Sequence, residues 1–295
     1  MSGGSVRANG LDFAFTAAGS PDAPLALCLH GFPDTSATWR HLLPELADAG
    51  FHAVAPAMRG YAPTEVPTDR RTDPDTLTAD VNALHRALGG GPDAVLIGHD
   101  WGAIAGARAA AAAPDRWRRL VTLAVPPESV LADAKFDRAQ VARSAYIAKA
   151  LLPGAERYFT ANDLARLRAL WHRWSPGYVL EPADLDPLLA TFAVPGVARA
   201  TLSYYRGLAG AYSDGRALNP RVSLPPQPHL VLHGRDDGCL GAEWAERSRG
   251  VLPHPASRVE VLDGVGHFLH LEAPEEVGDL ILEFVLPGGP GTAGR

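Results

Sequence analysis

The sequence predicts an α/β fold, a mostly parallel central sheet flanked by helices, with a block of helices inserted late in the sheet. Three observations predict it. Short apolar runs alternate with helical patterns over the first 127 residues, a rhythm that buries strands between two layers of helices. The strand pattern then stops from about Glu128 to Arg221 and resumes at His229. Within the first region stands "VLIGHDWGAIAGARAAAAAP", Val95–Pro114, where an apolar run breaks at Gly98, passes through an acidic residue and a second glycine, Gly102, and continues as an alanine-rich stretch.

Taken in order, Asn9-Gly10, flanked by Val6 and by Leu11, Phe13 and Phe15, predicts an opening hairpin. Apolar runs at Leu25–Leu29, Ala53–Ala57, Ala94–Gly98 and Leu120–Val125 each precede turn residues and predict buried strands. The spacing of Leu77, Val81, Leu84 and Leu88, ending on glycines from Gly89, predicts a helix. After Pro126-Pro127, "DLARLRALWHRW" and "GVARATLSYYRGLAGAY" predict helices, with Trp171, Trp174 and Phe192 expected in the core of that block. His229–His233 and Arg258–Leu262 complete the sheet, and Ala273–Val285 predicts a closing helix. The organisation expected is therefore a core made of residues 1–127 and 222–295, interrupted by a helical cap over residues 128–221. The tail "PGGPGTAGR" has nothing to bury and is expected to stay disordered.

Composition narrows the partners. The 295 residues carry a formal net charge of −6, with no lysine/arginine run, which leaves no electrostatic footprint for nucleic acid or a membrane surface. No stretch is apolar for long enough to span a bilayer, and "MSGGSVRANG" lacks the charged and apolar regions of a signal peptide. The two cysteines, Cys28 and Cys239, fall in separate predicted strand regions, which argues against a disulfide framework and fits a reducing cytoplasm. A small molecule is the natural partner; monomer and homodimer stay equally open.

The chemistry centres on Asp100. A strand feeding a helix through Gly98-x-Asp100-x-Gly102 has the form of a nucleophile elbow, which thrusts its middle side chain into a cleft. A carboxylate in that place is already ionised near neutral pH and attacks an sp³ carbon without a base. Other segments fall at predicted strand ends, where an open parallel sheet binds its ligands: His30-Gly31-Phe32-Pro33, "HGRDDGCL" and "GVGHFLHLEAPEEV". Asp236 and Asp237 are adjacent, and His267 and His270 lie three apart, so the residues alone leave the acid and the base open; Gly266 favours His267. No histidine spacing suggests a metal set.

"HGFP", "GHDWGA", "RGYAPTEVP" (Arg59–Pro67), "RDDGCL" and "GHFLHLEAPEEV" together resemble the epoxide hydrolase branch of the α/β-hydrolases over Val6 to about Val285. The resemblance implies an α/β-hydrolase fold with a helical lid, Asp100 as nucleophile, Asp237 as the acid and His267 as the base. It implies backbone N–H groups of Phe32 and Trp101 as the oxyanion hole, and two lid tyrosines that hold the epoxide oxygen. Tyr146 stands seven residues before Pro153 and Tyr205 just before Arg206, where the family has them. His30, Pro33 and His99 are expected around the substrate. The substrate implied is an epoxide, with water as the only cosubstrate and no cofactor or metal. The family's usual Gly-Tyr-Gly-x-Ser is Gly60-Tyr61-Ala62-Pro63-Thr64 here. A haloalkane dehalogenase shares the Asp-Trp elbow but usually has asparagine where Phe32 stands, and a non-catalytic homologue usually lacks part of the triad.

Overall fold

The computed structural model describes residues 1–68, 71–213, 224–286 and Gly288. Asn9 and Gly10 adopt the left-handed φ values of 42° and 82° that a two-residue hairpin demands. They fold β1 (Ser2–Ala8) antiparallel onto β2 (Leu11–Ala18). The predicted apolar runs become β3 (Leu25–Leu29), β4 (His52–Pro56), β5 (Val95–His99) and β6 (Arg119–Leu123); β7 (His229–Gly234) and β8 (Arg258–Leu262) follow. Three of the four early runs are offset from the predicted spans by one or two residues, because pairing rather than hydropathy sets a strand's ends. The eight strands form one sheet in the order β1-β2-β4-β3-β5-β6-β7-β8, parallel from β4 to β8. Strands β3, β5 and β6 are buried at every position, as a sheet covered on both faces requires.

Helices α1 (Leu42–Asp48), α2 (Pro74–Ala87) and α3 (Trp101–Ala112) cross between the early strands. Asp73 caps α2, its carboxylate accepting from the Thr76 N–H, and Pro74 takes the first helical position. Between β6 and β7 the described residues contain helices and no strand: α4 (Glu128–Leu131), α5 (Arg138–Arg143), α6 (Ala145–Ala150), α7 (Ala155–Trp174), α8 (Pro182–Ala193) and α9 (Val197–Ser213). Helix α7 is broken at Ala161–Leu164, where three successive residues take positive φ. Three short helices complete the chain: α10 (Ala242–Arg247), α11 (Leu269–Glu272) and α12 (Pro274–Val285). The expected end of the helical block at 221 and all of the tail except Gly288 lie outside the described residues.

Specific polar contacts fix the helical block on the carboxyl end of the sheet. The Trp171 Nε1–H donates to the Pro33 carbonyl at 2.7 Å and its ring stacks on Phe268 with centroids 3.6 Å apart. The Tyr204 hydroxyl donates to the Arg59 carbonyl at 2.6 Å, and Arg40 pairs with Asp184 at 2.8 Å. Ser175 accepts from the Phe268 N–H and donates to Glu272. The departure from the family pattern at Thr64 has a local account. Its hydroxyl donates to the Ala57 carbonyl and accepts from the Ala14 N–H, pinning the loop after β4 to β2.

Candidate active site

The elbow is built from the backbone outward. Asp100 has φ 50° and ψ −119°, a conformation few non-glycine residues adopt, held where β5 ends and α3 begins. Only glycine fits on either side of it: a Cβ at Gly98 would stand 2.4 Å from the Gly102 carbonyl oxygen, and one at Gly102 would stand 2.2 Å from that of Leu29. Across the cleft a Cβ at Gly31 would strike the Asp100 carboxylate at 2.3 Å, so the loop after β3 packs its bare backbone against the side chain. The Phe32 N–H donates to Asp100 Oδ1 at 2.7 Å. Burial pushes the Asp100 carboxyl above the usual carboxylate range, opposed by His267 and by the Phe32 and Trp101 N–H groups.

Asp237 sits three residues beyond β7. Its Oδ1 accepts from the N–H groups of Cys239 at 2.6 Å and Leu240 at 2.9 Å, and its Oδ2 accepts from His267 Nδ1 at 2.9 Å. Asp236 is exposed and does not meet the ring. Because the carboxylate only accepts, the Nδ1 carries the proton and the other nitrogen, Nε2, presents a lone pair. That nitrogen lies 3.8 Å from Asp100 Oδ2 and has no hydrogen-bond partner. Burial alone would raise the Asp237 pKa, but the neighbouring His267 outweighs it and holds the acid below its ordinary value. Burial alone would lower His267; Asp237 and then Asp100 outweigh it, so the imidazole titrates above its ordinary value.

The opposite wall comes from the helical block. Tyr205 on α9 and Tyr146 on α6 bring their hydroxyls to 3.4 Å. The Tyr205 ring meets Phe32 and Trp101 edge-on, with centroids 5.4 Å and 5.3 Å away. Burial pushes both phenols up, and the Asp100 charge adds to the effect, which keeps them as O–H donors. Tyr204, adjacent in sequence, points away and is wholly buried.

The chain matches the alpha/beta hydrolase fold family over residues 24–274. It is 31% identical to an epoxide hydrolase of Caballeronia sordidicola, over 95% of this chain and 92% of that one. It belongs to the α/β-hydrolase family, in its epoxide hydrolase branch. Epoxide hydrolase A of Mycobacterium tuberculosis is 30% identical, with 95% and 96% of the two chains covered. The crystal structure of epoxide hydrolase A from Mycobacterium thermoresistibile superposes with a TM-score of 0.81 at 30% identity, covering 97% of this chain and 98% of that one.

Among this family's expected site residues, the structure gathers Asp100, Asp237, His267, Tyr146, Tyr205, Phe32 and Trp101 at one end of the sheet. His30 and His99, expected around the substrate, lie beside these residues. Both rings are wholly buried and committed to backbone: His30 to the Gly31 carbonyl and the Met58 N–H, His99 Nε2 to the His267 carbonyl at 3.0 Å. These bonds hold the loop after β3 and the loop of His267 in place. Pro33 is cis after Phe32, and its carbonyl receives Trp171. Cys239 lies in the loop beyond β7 rather than in a strand, and its Sγ is 3.8 Å from the Tyr146 hydroxyl; both cysteines are free.

Trp174 is wholly buried in the core with Trp171 and Phe192, as expected, and its ring also lies 5.0 Å from both His267 and Tyr146, its carbonyl accepting the His267 N–H. Nothing local in the sequence marks that position. A further set lies behind the site: one Asp34 oxygen and one ring nitrogen each of His99 and His270 fall within 4.8 Å of one another, all three residues buried. Burial holds the His99 imidazole well below its ordinary value and takes His270 down to about 3, so both rings are neutral.

Proposed function

We propose that the protein opens an epoxide with Asp100 and releases a vicinal diol, water being the only other reactant and no cofactor or metal taking part. The observation that carries the reading is a carboxylate at the elbow faced by two tyrosine hydroxyls 3.4 Å apart. Asp100 Oδ2 attacks one epoxide carbon, the carbon–oxygen bond of the ring breaks, and Tyr146 and Tyr205 donate to the oxygen that leaves as a developing alkoxide. A halide would need no such acid.

The resulting ester is opened by water. His267 Nε2 takes one proton from the water while its oxygen attacks the Asp100 carboxyl carbon, and the oxyanion develops on Oδ1, beside the Phe32 and Trp101 N–H groups. Collapse breaks the bond between that carbon and Oδ2; the diol oxygen released there takes up the proton from His267, and the second proton of the water, left on the Asp100 carboxyl, passes to the epoxide-derived alkoxide held by the tyrosines, restoring the carboxylate. Alkylation also removes the Asp100 charge, one of three carboxylates, with Asp237 and Glu272, that raise the His267 pKa, and so shifts the ring toward its free-base form in the step that needs one. On this reading the described residues 128–213 form a lid, and the buried, unpaired cysteines fit a cytoplasmic setting. No described helix is long and apolar enough to cross a membrane.

The test is His267→Gln with a panel of aromatic and aliphatic epoxides and haloalkanes. The variant is expected to trap the ester on the peptide containing Asp100, visible by intact-mass spectrometry, while wild type releases diol. Diol from wild type with no adduct in the variant would mean direct hydration. Halide release without diol would transfer the protein to dehalogenase chemistry.

A further inference from the structure

In the segment "GHFLHLEAPEEV" the reaction uses His267, and the carboxylate of Glu272 folds back onto the same loop. Its Oε2 accepts from the Gly266 N–H at 2.9 Å, and its Oε1 accepts from the Ser175 hydroxyl at 2.6 Å. Ser175 Oγ in turn accepts from the Phe268 N–H at 3.0 Å. Between these two, the His267 N–H donates to the Trp174 carbonyl, also at 3.0 Å. The amide of the base and the amides on either side of it are thus all held by Glu272 or by the end of α7.

That end of α7 is wedged between the loops of the acid and the base. The Trp174 carbonyl accepts from the Gly238 N–H at 3.1 Å as well as from His267, so one oxygen ties the residue after Asp237 to the base. Neither glycine leaves room for a side chain: a Cβ at Gly266 would stand 2.6 Å from Ser175 Cα, and one at Gly238 would strike the Arg173 carbonyl. Ser175 is wholly buried and Glu272 partly so. Glu272 accepts at both oxygens, which a carboxylate does and an amide does not. Burial raises its pKa, and the bonds from Ser175 and Gly266 oppose the rise.

We propose that Glu272, through the Gly266 N–H and through Ser175, is a positioning residue for His267, fixing the backbone on both sides of the base so that Nδ1 stays on Asp237 and Nε2 faces Asp100. Glu272 touches no reacting atom. The inference rests on the reading of His267 as the base that opens the ester. Ester formation needs no base, because the Asp100 carboxylate attacks directly, so the loss of Glu272 falls on hydrolysis. On the high-pH plateau, where His267 is neutral in every variant, Glu272→Ala slows ester hydrolysis by at least about tenfold and leaves ester formation within about twofold. Glu272→Gln slows hydrolysis by only about threefold, because its amide oxygen still accepts from Gly266 and its amide nitrogen donates to Ser175 Oγ.

The experiment is stopped-flow tryptophan fluorescence with styrene oxide, resolving ester formation from ester breakdown in wild type and both variants, with circular dichroism to check the fold. Proton NMR of the substrate-free proteins follows the low-field resonance of the His267 Nδ1 proton, assigned by its loss in His267→Gln. Glu272→Ala is expected to move that resonance further than Glu272→Gln does, although both remove the charge. An unmoved resonance in Glu272→Ala, equal slowing of both steps, or equal losses of hydrolysis in the two variants overturns the positioning role. If Glu272→Ala does not fold, Glu272→Gln decides, and hydrolysis at the wild-type rate overturns the role. If His267→Gln accumulates no ester, the base reading fails separately, while the NMR comparison still decides whether Glu272 positions the ring.

Discussion

The two walls of the site are held by different forces. On the sheet side, backbone amides grip the charged groups: Phe32 on Asp100 at 2.7 Å, Cys239 and Leu240 on Asp237 at 2.6 Å and 2.9 Å. On the helical side, Tyr146 and Tyr205 are placed by ring edges at 5.0–5.6 Å and by one long contact between their hydroxyls. Charge that must stay put is anchored by directional bonds to rigid strand ends, whereas the proton donors ride on packing that can adjust to a substrate. Substitutions on the sheet side should therefore cost more, and less forgivingly, than those on the helical side.

The largest expected effect is on the sheet side. Asp237→Asn removes the acceptor that fixes the His267 tautomer and should lower turnover by up to about 10⁴, while Asp236→Asn stays within about twofold. Steady-state kinetics of both variants reads this directly, and equal losses would place the acid elsewhere. On the helical side, the double variant Tyr146→Phe/Tyr205→Phe should slow ester formation by about 10²–10⁴, each single variant by less, since the other hydroxyl still donates. Rapid-quench ester formation tests this, with circular dichroism to check the fold; near-wild-type rates in the double variant would break the comparison.

A third expectation concerns pH. His267 acts only when neutral, and its pKa stands above the ordinary histidine value because Asp237 and Asp100 outweigh burial. Turnover limited by ester hydrolysis should thus rise with pH, and esterified Asp100 should move that rise lower than the free-enzyme titration followed by histidine NMR. Coincident curves would mean that the Asp100 charge does not reach the ring. The smallest effect is structural: Trp171→Phe removes the bond to the Pro33 carbonyl but keeps an aromatic ring on Phe268. It should cost about 0.5–1.5 kcal/mol in urea unfolding and leave kcat within about threefold.

The legibility of these regions in the sequence follows the same division. Strands β3 to β8 and the elbow were readable because they are local: apolar runs of five or six residues, and two glycines spaced around Asp100. Asp237 could be set in register only by the family's spacing, since Asp236 stands beside it, whereas Gly266 already favoured His267 over His270. Trp174 was not readable as part of the site, because its partner His267 lies 93 residues away and nothing near it differs from a core tryptophan. The Asp34 set was missed for the same reason: Thr38 and His270, whose contact orients one ring, are separated by 232 residues. For His30 and His99, adjacency to the reacting residues does not say which way a ring turns, and only the structure shows both committed to backbone groups.

The bond from the Phe32 N–H to Asp100 Oδ1 makes the two carboxylate oxygens inequivalent, with a consequence for isotopes. Oδ1 stays on the enzyme as the oxyanion, while the oxygen at the Oδ2 place leaves in the diol and is replaced from solvent. In the proposed mechanism, a single turnover with excess enzyme in ¹⁸O-water should therefore yield unlabelled diol and a labelled Asp100. The label should reach product from the second turnover onward, so each cycle delivers the oxygen that the preceding one installed.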